Sequence, residues 1–80
     1  MKYVMFDVDG IDVPVVFSEV IQHYQIVVNT TWGEKAKPVS AGKITLFAPL
    51  RVEAHGESIS LELKSRPEDS DILTRYFEDF

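Results

Sequence analysis

The sequence predicts a small α+β fold: an antiparallel sheet of two β-hairpins and one or two further strands, with a C-terminal helix on one face. Three observations predict it. Apolar residues alternate on either side of an Asp9-Gly10 pair. A second alternating stretch reverses around Gly56-Glu57. The C-terminal segment then changes to apolar positions at helical spacing.

The first hairpin spans Val4–Phe17. With Asp9-Gly10 at the two central turn positions, Val8 faces Ile11, Phe6 faces Val13, Val4 faces Val15 and Lys2 faces Phe17. One face is then apolar except for the terminal lysine. Asp-Gly favours a two-residue type I′ turn because both central residues need positive φ. Turn chemistry and alternation agree on one register. Pro14 has no amide hydrogen, which suggests that its strand lies at a sheet edge or that this position points outward.

Ser18 suits the cap of a short helical turn over "SEVIQHY". "QIVVNT" reads as a third strand, "TWGEKAK" as a loop ended by Pro38, and "VSAGKITLFA" as a strand with an irregularity at Gly42. The second hairpin spans Leu50–Leu63, with Ala54 facing Ile59, Val52 facing Leu61 and Leu50 facing Leu63. Its other face sets Arg51 against Glu62 and Glu53 against Ser60, so the sheet should have one dry and one wet face. The helix is expected over about Pro67–Asp79, capped by Ser65, with proline and acids in the first turn where geometry and dipole favour them. Ile72, Leu73, Tyr76, Phe77 and Phe80 form its apolar stripe, directed at the dry face.

Eighty residues allow a single domain, 1–80, with a thin core. With no cysteine there is no disulfide, thiolate metal site or thiol nucleophile. No secretory pattern and no apolar run of membrane-spanning length occur, so the expected compartment is the cytoplasm and no membrane partner is expected. Net charge is −5, distributed as −3 over 1–33, +2 over 34–66 and −4 over 67–80. That balance disfavours a nucleic-acid partner. Lys35, Lys37 and Lys43 beside Trp32 read as a solvated loop.

Asp7 and Asp9 bring a motif with them. "YVMFDVDG" resembles the first motif of haloacid-dehalogenase-like phosphotransferases, which implies Asp7 as phosphoryl-accepting nucleophile and Asp9 as acid/base with Mg²⁺. The family continues with Thr and a bulky aliphatic residue, whereas Ile11 and Asp12 stand here. Its chemistry also needs a doubly wound parallel sheet, which eighty hairpin-rich residues cannot build. The hairpin reading is preferred, and it makes Asp7 and Asp12 cross-strand neighbours that a cation would neutralise. "SAGKI" lacks phosphate-loop spacing. His23 and His55 assemble no catalytic or metal set, so no catalytic residue and no cofactor are expected.

The pieces "VPVVFSEVIQH" and "GESISLELKSRPEDSDIL" resemble small bacteriophage- and prophage-encoded proteins of uncharacterised function. This resemblance implies a short acidic protein of a bacterial host's cytoplasm and carries no activity. The expected function is a non-enzymatic protein-interaction or assembly domain, self-associating through strand edges or the helix. Trp32, Tyr76, Glu68, Asp69 and Asp71 are its interface candidates. The alternatives are an acidic inhibitor mimicking nucleic acid, and an Mg²⁺-dependent phosphohydrolase centred on Asp7 and Asp9.

Overall fold

The computed structural model describes residues 1–29, 35–48 and 50–79. It is an α+β fold in three layers. The middle layer is a four-stranded antiparallel sheet made of β1 (Lys2–Val8), β2 (Ile11–Phe17), β3 (Ala36–Phe47) and β4 (Arg51–His55), in the order β2-β1-β3-β4. One face carries helix α2 (Asp69–Glu78). The other carries helix α1 (His23–Asn29) and a two-stranded ribbon, β5 (Glu57–Ser58) with β6 (Leu63–Lys64).

The first hairpin has the register that alternation predicts, from Lys2 opposite Phe17 to Val8 opposite Ile11. Asp9 at φ 53° and Gly10 at φ 84° supply the two left-handed residues of the turn. The Asp7 Oδ1 accepts the Gly10 amide at 2.7 Å and fixes the reversal. β2 is an edge strand, and Pro14 sits opposite Met5, so its missing donor falls on the open side.

β1 is buried on both faces. Tyr3 and Met5 join Ile44, Val52 and Leu73 beneath α2, with Val16, Val39, Ala54, Ile72 and Phe77 around them. Val4 and Phe6 join Phe17 and Ala41 on the opposite face, covered by Ile21, Ile26 and Val27 on one side and Leu61 and Leu63 on the other. The expectation of one wet face is therefore corrected. The face predicted to be dry in the first hairpin is covered by α1 and the ribbon, while α2 takes the Tyr3–Met5 face.

Three further elements differ from the sequence reading. Residues 25–29, expected as part of a strand, form α1 together with His23 and Tyr24 from the end of the expected helical turn. Gln25 Oε1 accepts the Gln22 amide at 2.8 Å, a glutamine version of the capping box, and His23, Ile26 and Val27 turn inward at i, i+3, i+4. Burial on that face outweighs the strand preference of Val27-Val28. The expected turn at Ser18 does form, with its oxygens accepting from Val20 and Ile21, but the helix begins after it. The irregularity of β3 lies at Val39, an extra residue between Ser40 opposite Met5 and Pro38 opposite Phe6. Gly42 instead permits a close backbone approach, since a Cβ there would fall on the His55 carbonyl oxygen.

The second hairpin also changes partner. β4 pairs with β3, setting Val52 opposite Leu46 and Ala54 opposite Ile44, while Ser58 pairs with Leu63. Gly56, at φ 75°, is the corner between the two sheets rather than a hairpin reversal. Its carbonyl accepts both the Ser65 amide and hydroxyl at 3.0 Å, so Ser65 closes the ribbon and does not cap α2. The helix starts at Asp69, two residues past the expected Pro67, and Glu68 makes no side-chain cap. Arg51, expected against Glu62, lies over the Phe47 ring at 4.9 Å and 3.7 Å from Glu53.

Candidate interaction surface

The aspartates of the opening motif serve the hairpin. Asp7 holds the turn amide and lies across from Lys37, Asp9 is itself a turn residue 3.9 Å from Lys35, and Asp12 meets Arg66 at 3.4 Å. The Asp7–Asp12 pair is thus flanked by cations of this chain. Asp7, Asp9, Gly10, Lys35 and Lys37 line an open polar hollow of about 300 Å³. Among the described residues no group of three or more His, Asp or Glu could hold a metal ion.

Asp69, one of the interface candidates of the sequence, does not lie on the surface. Its side chain is fully buried. Oδ2 accepts from the Tyr3 hydroxyl at 2.6 Å and the Arg66 amide at 3.0 Å; Oδ1 accepts from Arg66 Nε at 3.0 Å and lies 2.9 Å from a terminal guanidinium nitrogen. Burial alone would raise this carboxyl. The nearby Ser40 hydroxyl, Tyr3 and Arg66 together outweigh it and hold Asp69 below its ordinary range. Ser40 Oγ itself is buried and, among the described residues, makes no hydrogen bond within normal geometry. Burial first, then the Asp69 carboxylate, pushes the Tyr3 hydroxyl far above its ordinary value. The cluster ties the start of α2 to the central strand and has no opening to solvent through Tyr3, Ser40 or Asp69.

The other interface candidates separate. Glu68 and Asp71 are exposed on α2, and Tyr76 is half-buried and edge-on to Phe77 at 5.5 Å. Trp32, and Phe80 of the expected helix stripe, lie outside the described residues. Neither histidine is near a catalytic partner set: buried His23 contacts the Gly42 carbonyl at 3.0 Å and Phe17 edge-on, and exposed His55 contacts the Thr45 hydroxyl.

What sequence reasoning missed is the outer surface of α1. Val20 is 86% exposed, Tyr24 48% and Val28 74%, at four-residue spacing across the turn and the helix. No acidic or basic residue occupies the first or last turn of α1, and its one titratable imidazole is buried. Ile59, 86% exposed, belongs to the ribbon layer on the same side of the sheet. The signal was present as period-four spacing inside a segment whose valines suggested a strand.

The β4 edge of the sheet is closed by α2. On β4 the Val52 amide donates to Thr74 Oγ1 at 3.0 Å and the Ala54 amide to Ser70 Oγ at 2.9 Å; the Thr74 hydroxyl lies 3.2 Å from the Val52 carbonyl. Hydroxyls of α2 thus stand where a neighbouring strand's backbone would. On β2 the gap in donors is Pro14.

Among the described residues no helix is long and apolar enough to cross a membrane. No family model, curated protein or solved structure matches the chain, so the functional reading rests on this geometry.

Proposed function

We propose that the chain is a non-enzymatic interaction module that associates with a second copy through the outer face of α1. The observation that carries this is the exposed, apolar Val20–Tyr24–Val28 set, of which Tyr24 and Val28 stand on a helix without charged residues. Large exposed apolar groups grouped on one element are the usual mark of a contact surface. Charge selects a like partner. Two chains of net charge −5 repel over most of their surfaces, and the acidic side of α2 opposes itself, whereas α1 brings no charge to the contact. Tyr24 and Val28, four apart on α1, form a ridge that interdigitates with its own two-fold copy, and Val20 is exposed in the turn that precedes it. Three side chains are few beside the roughly 20–30 residues a side of a standard stable interface, so weak association is expected.

Sedimentation or light scattering over a concentration series tests the reading with V28K, whose exposed site leaves the core intact. The unmodified chain is expected to show a concentration-dependent rise towards twice its monomer mass, and V28K to stay monomeric. A monomeric unmodified chain, or a rise that V28K does not suppress, refutes it.

A further inference from the structure

We propose that the outer edge of β4 is a latent pairing site for β4 of a second copy, held closed by Ser70 and Thr74 of α2. In an antiparallel strand alternate residues direct their backbone groups to opposite sides. Those of Arg51, Glu53 and His55 face β3, and those of Val52 and Ala54 face outward, where the α2 hydroxyls meet them. A cleft of about 350 Å³ runs along this junction, lined by Arg51, Val52, Glu53, Ser70, Asp71 and Thr74.

The occupant follows from charge. An antiparallel β4–β4 pair with its two-fold axis at Val52 sets Arg51 of each copy directly opposite Glu53 of the other. Both residues are exposed on the same face and already lie 3.7 Å apart within one chain. Opposite charges directly across strands favour that register, and any copy shifted by two residues loses at least one of the pairs. β2 offers no equivalent edge, because Pro14 breaks its outward row of donors at mid-strand. Pairing replaces the contacts of the two α2 hydroxyls with backbone contacts, Val52 to Val52 and Ala54 to Leu50 of the other copy, and needs α2 to shift off this edge, so α2 acts as a guard that loss of the hydroxyls weakens.

The experiment is run in the V28K chain, so that failure of the α1 reading and failure of this one are distinguishable. In S70A/T74A the measured mass is expected to double at micromolar concentration. Adding R51E, which opposes glutamates across the axis, returns it to monomer, and adding E53R to that chain restores the doubling. A folded S70A/T74A chain that stays monomeric, or a dimer indifferent to R51E, overturns the proposal. Amide hydrogen exchange in the V28K chain keeps it testable should the double variant not fold. Val52 and Ala54 amides are expected to exchange only when α2 opens. Exchange as fast as the outward amides of Asp12 and Val16 on the β2 edge overturns the guard.

Discussion

Replacing Asp69 by Asn is the most direct test of what holds α2 on the sheet. The carboxylate accepts from the Tyr3 hydroxyl and the Arg66 amide and meets two guanidinium nitrogens, all at 2.6 to 3.0 Å. An amide keeps one acceptor oxygen and turns the other into a donor. Either orientation then points NH₂ at groups that can only donate, or that donate now. Removing one partner of a buried ion pair costs about 3–5 kcal/mol. Arg66 is 27% exposed and retains Asp12 at 3.4 Å, so its charge is partly relieved. The expected loss is therefore about 2–3 kcal/mol, a fall in Tm of about 10–20 °C for a domain of this size.

Thermal and urea unfolding followed by far-ultraviolet circular dichroism measure it, and a double-mutant cycle with Y3F separates the hydroxyl's share. Y3F alone removes one bond to a charged group, about 1.5 kcal/mol. The double variant should lose less than the sum, since both changes break the same bond. Acid supplies a second readout. Asp69 titrates lower in the folded than in the unfolded chain, so its stabilisation is complete above the unfolded value of about 3.9 and is lost as pH falls through the folded one. D69N should flatten that acid limb. A loss below about 0.5 kcal/mol, within the range of ordinary surface changes, refutes the reasoning.

Two other outcomes follow from the same interior. Tyr3 has its folded pKa raised, so the stability it supplies is present below the unfolded value of about 10 and is lost as pH rises past it. Urea midpoints should fall above that pH in the unmodified chain and fall less in Y3F. Gly42→Ala drives a Cβ into the His55 carbonyl oxygen, a backbone atom that cannot swing away, and is expected to cost about 2 kcal/mol or more in urea unfolding. An unchanged midpoint in G42A would show that the β3–β4 corner relaxes freely.

The parts of the fold legible in the sequence are those in which two local signals coincide. Asp9-Gly10 specified a turn, alternation specified a register, and both gave the pairing that forms. Gly56-Glu57 offered a turn signal of the same kind, yet Val52 and Ala54 pair with Leu46 and Ile44. Period-two alternation tells which residues share a face but not which strand lies beside them, and β3 was the competing partner. α1 failed for the converse reason. His23, Ile26 and Val27 satisfy helical spacing while their side chains favour strand, and only contact with Phe17, Ala41 and Val4 decides. The unbroken apolar run Tyr3–Phe6 did carry information about both faces, since a strand open to water on one side alternates.

Acidic residues are the hardest to place from sequence, because the charge that marks a solvated face is also the charge that a buried cation requires. Glu68, Asp69 and Asp71 are three acids at one helix start, equal in composition and opposite in fate. Asp69 alone points at the sheet, where Tyr3 and Arg66 wait 66 and three residues away along the chain. Arg66 then reaches Asp12 on β2, so one guanidinium links the edge strand, the central strand through Asp69, and the helix. This link also bears on association. The cation that neutralises the hairpin's acidic pair is committed internally, and the lysines at 35 and 37 lie against Asp9 and Asp7. What these pairings leave uncharged and unoccupied is the outer side of α1, and for that reason the contact proposed there is apolar rather than ionic: raising the salt concentration should leave it intact, whereas docking of the acids on α2 to a basic partner would be screened away.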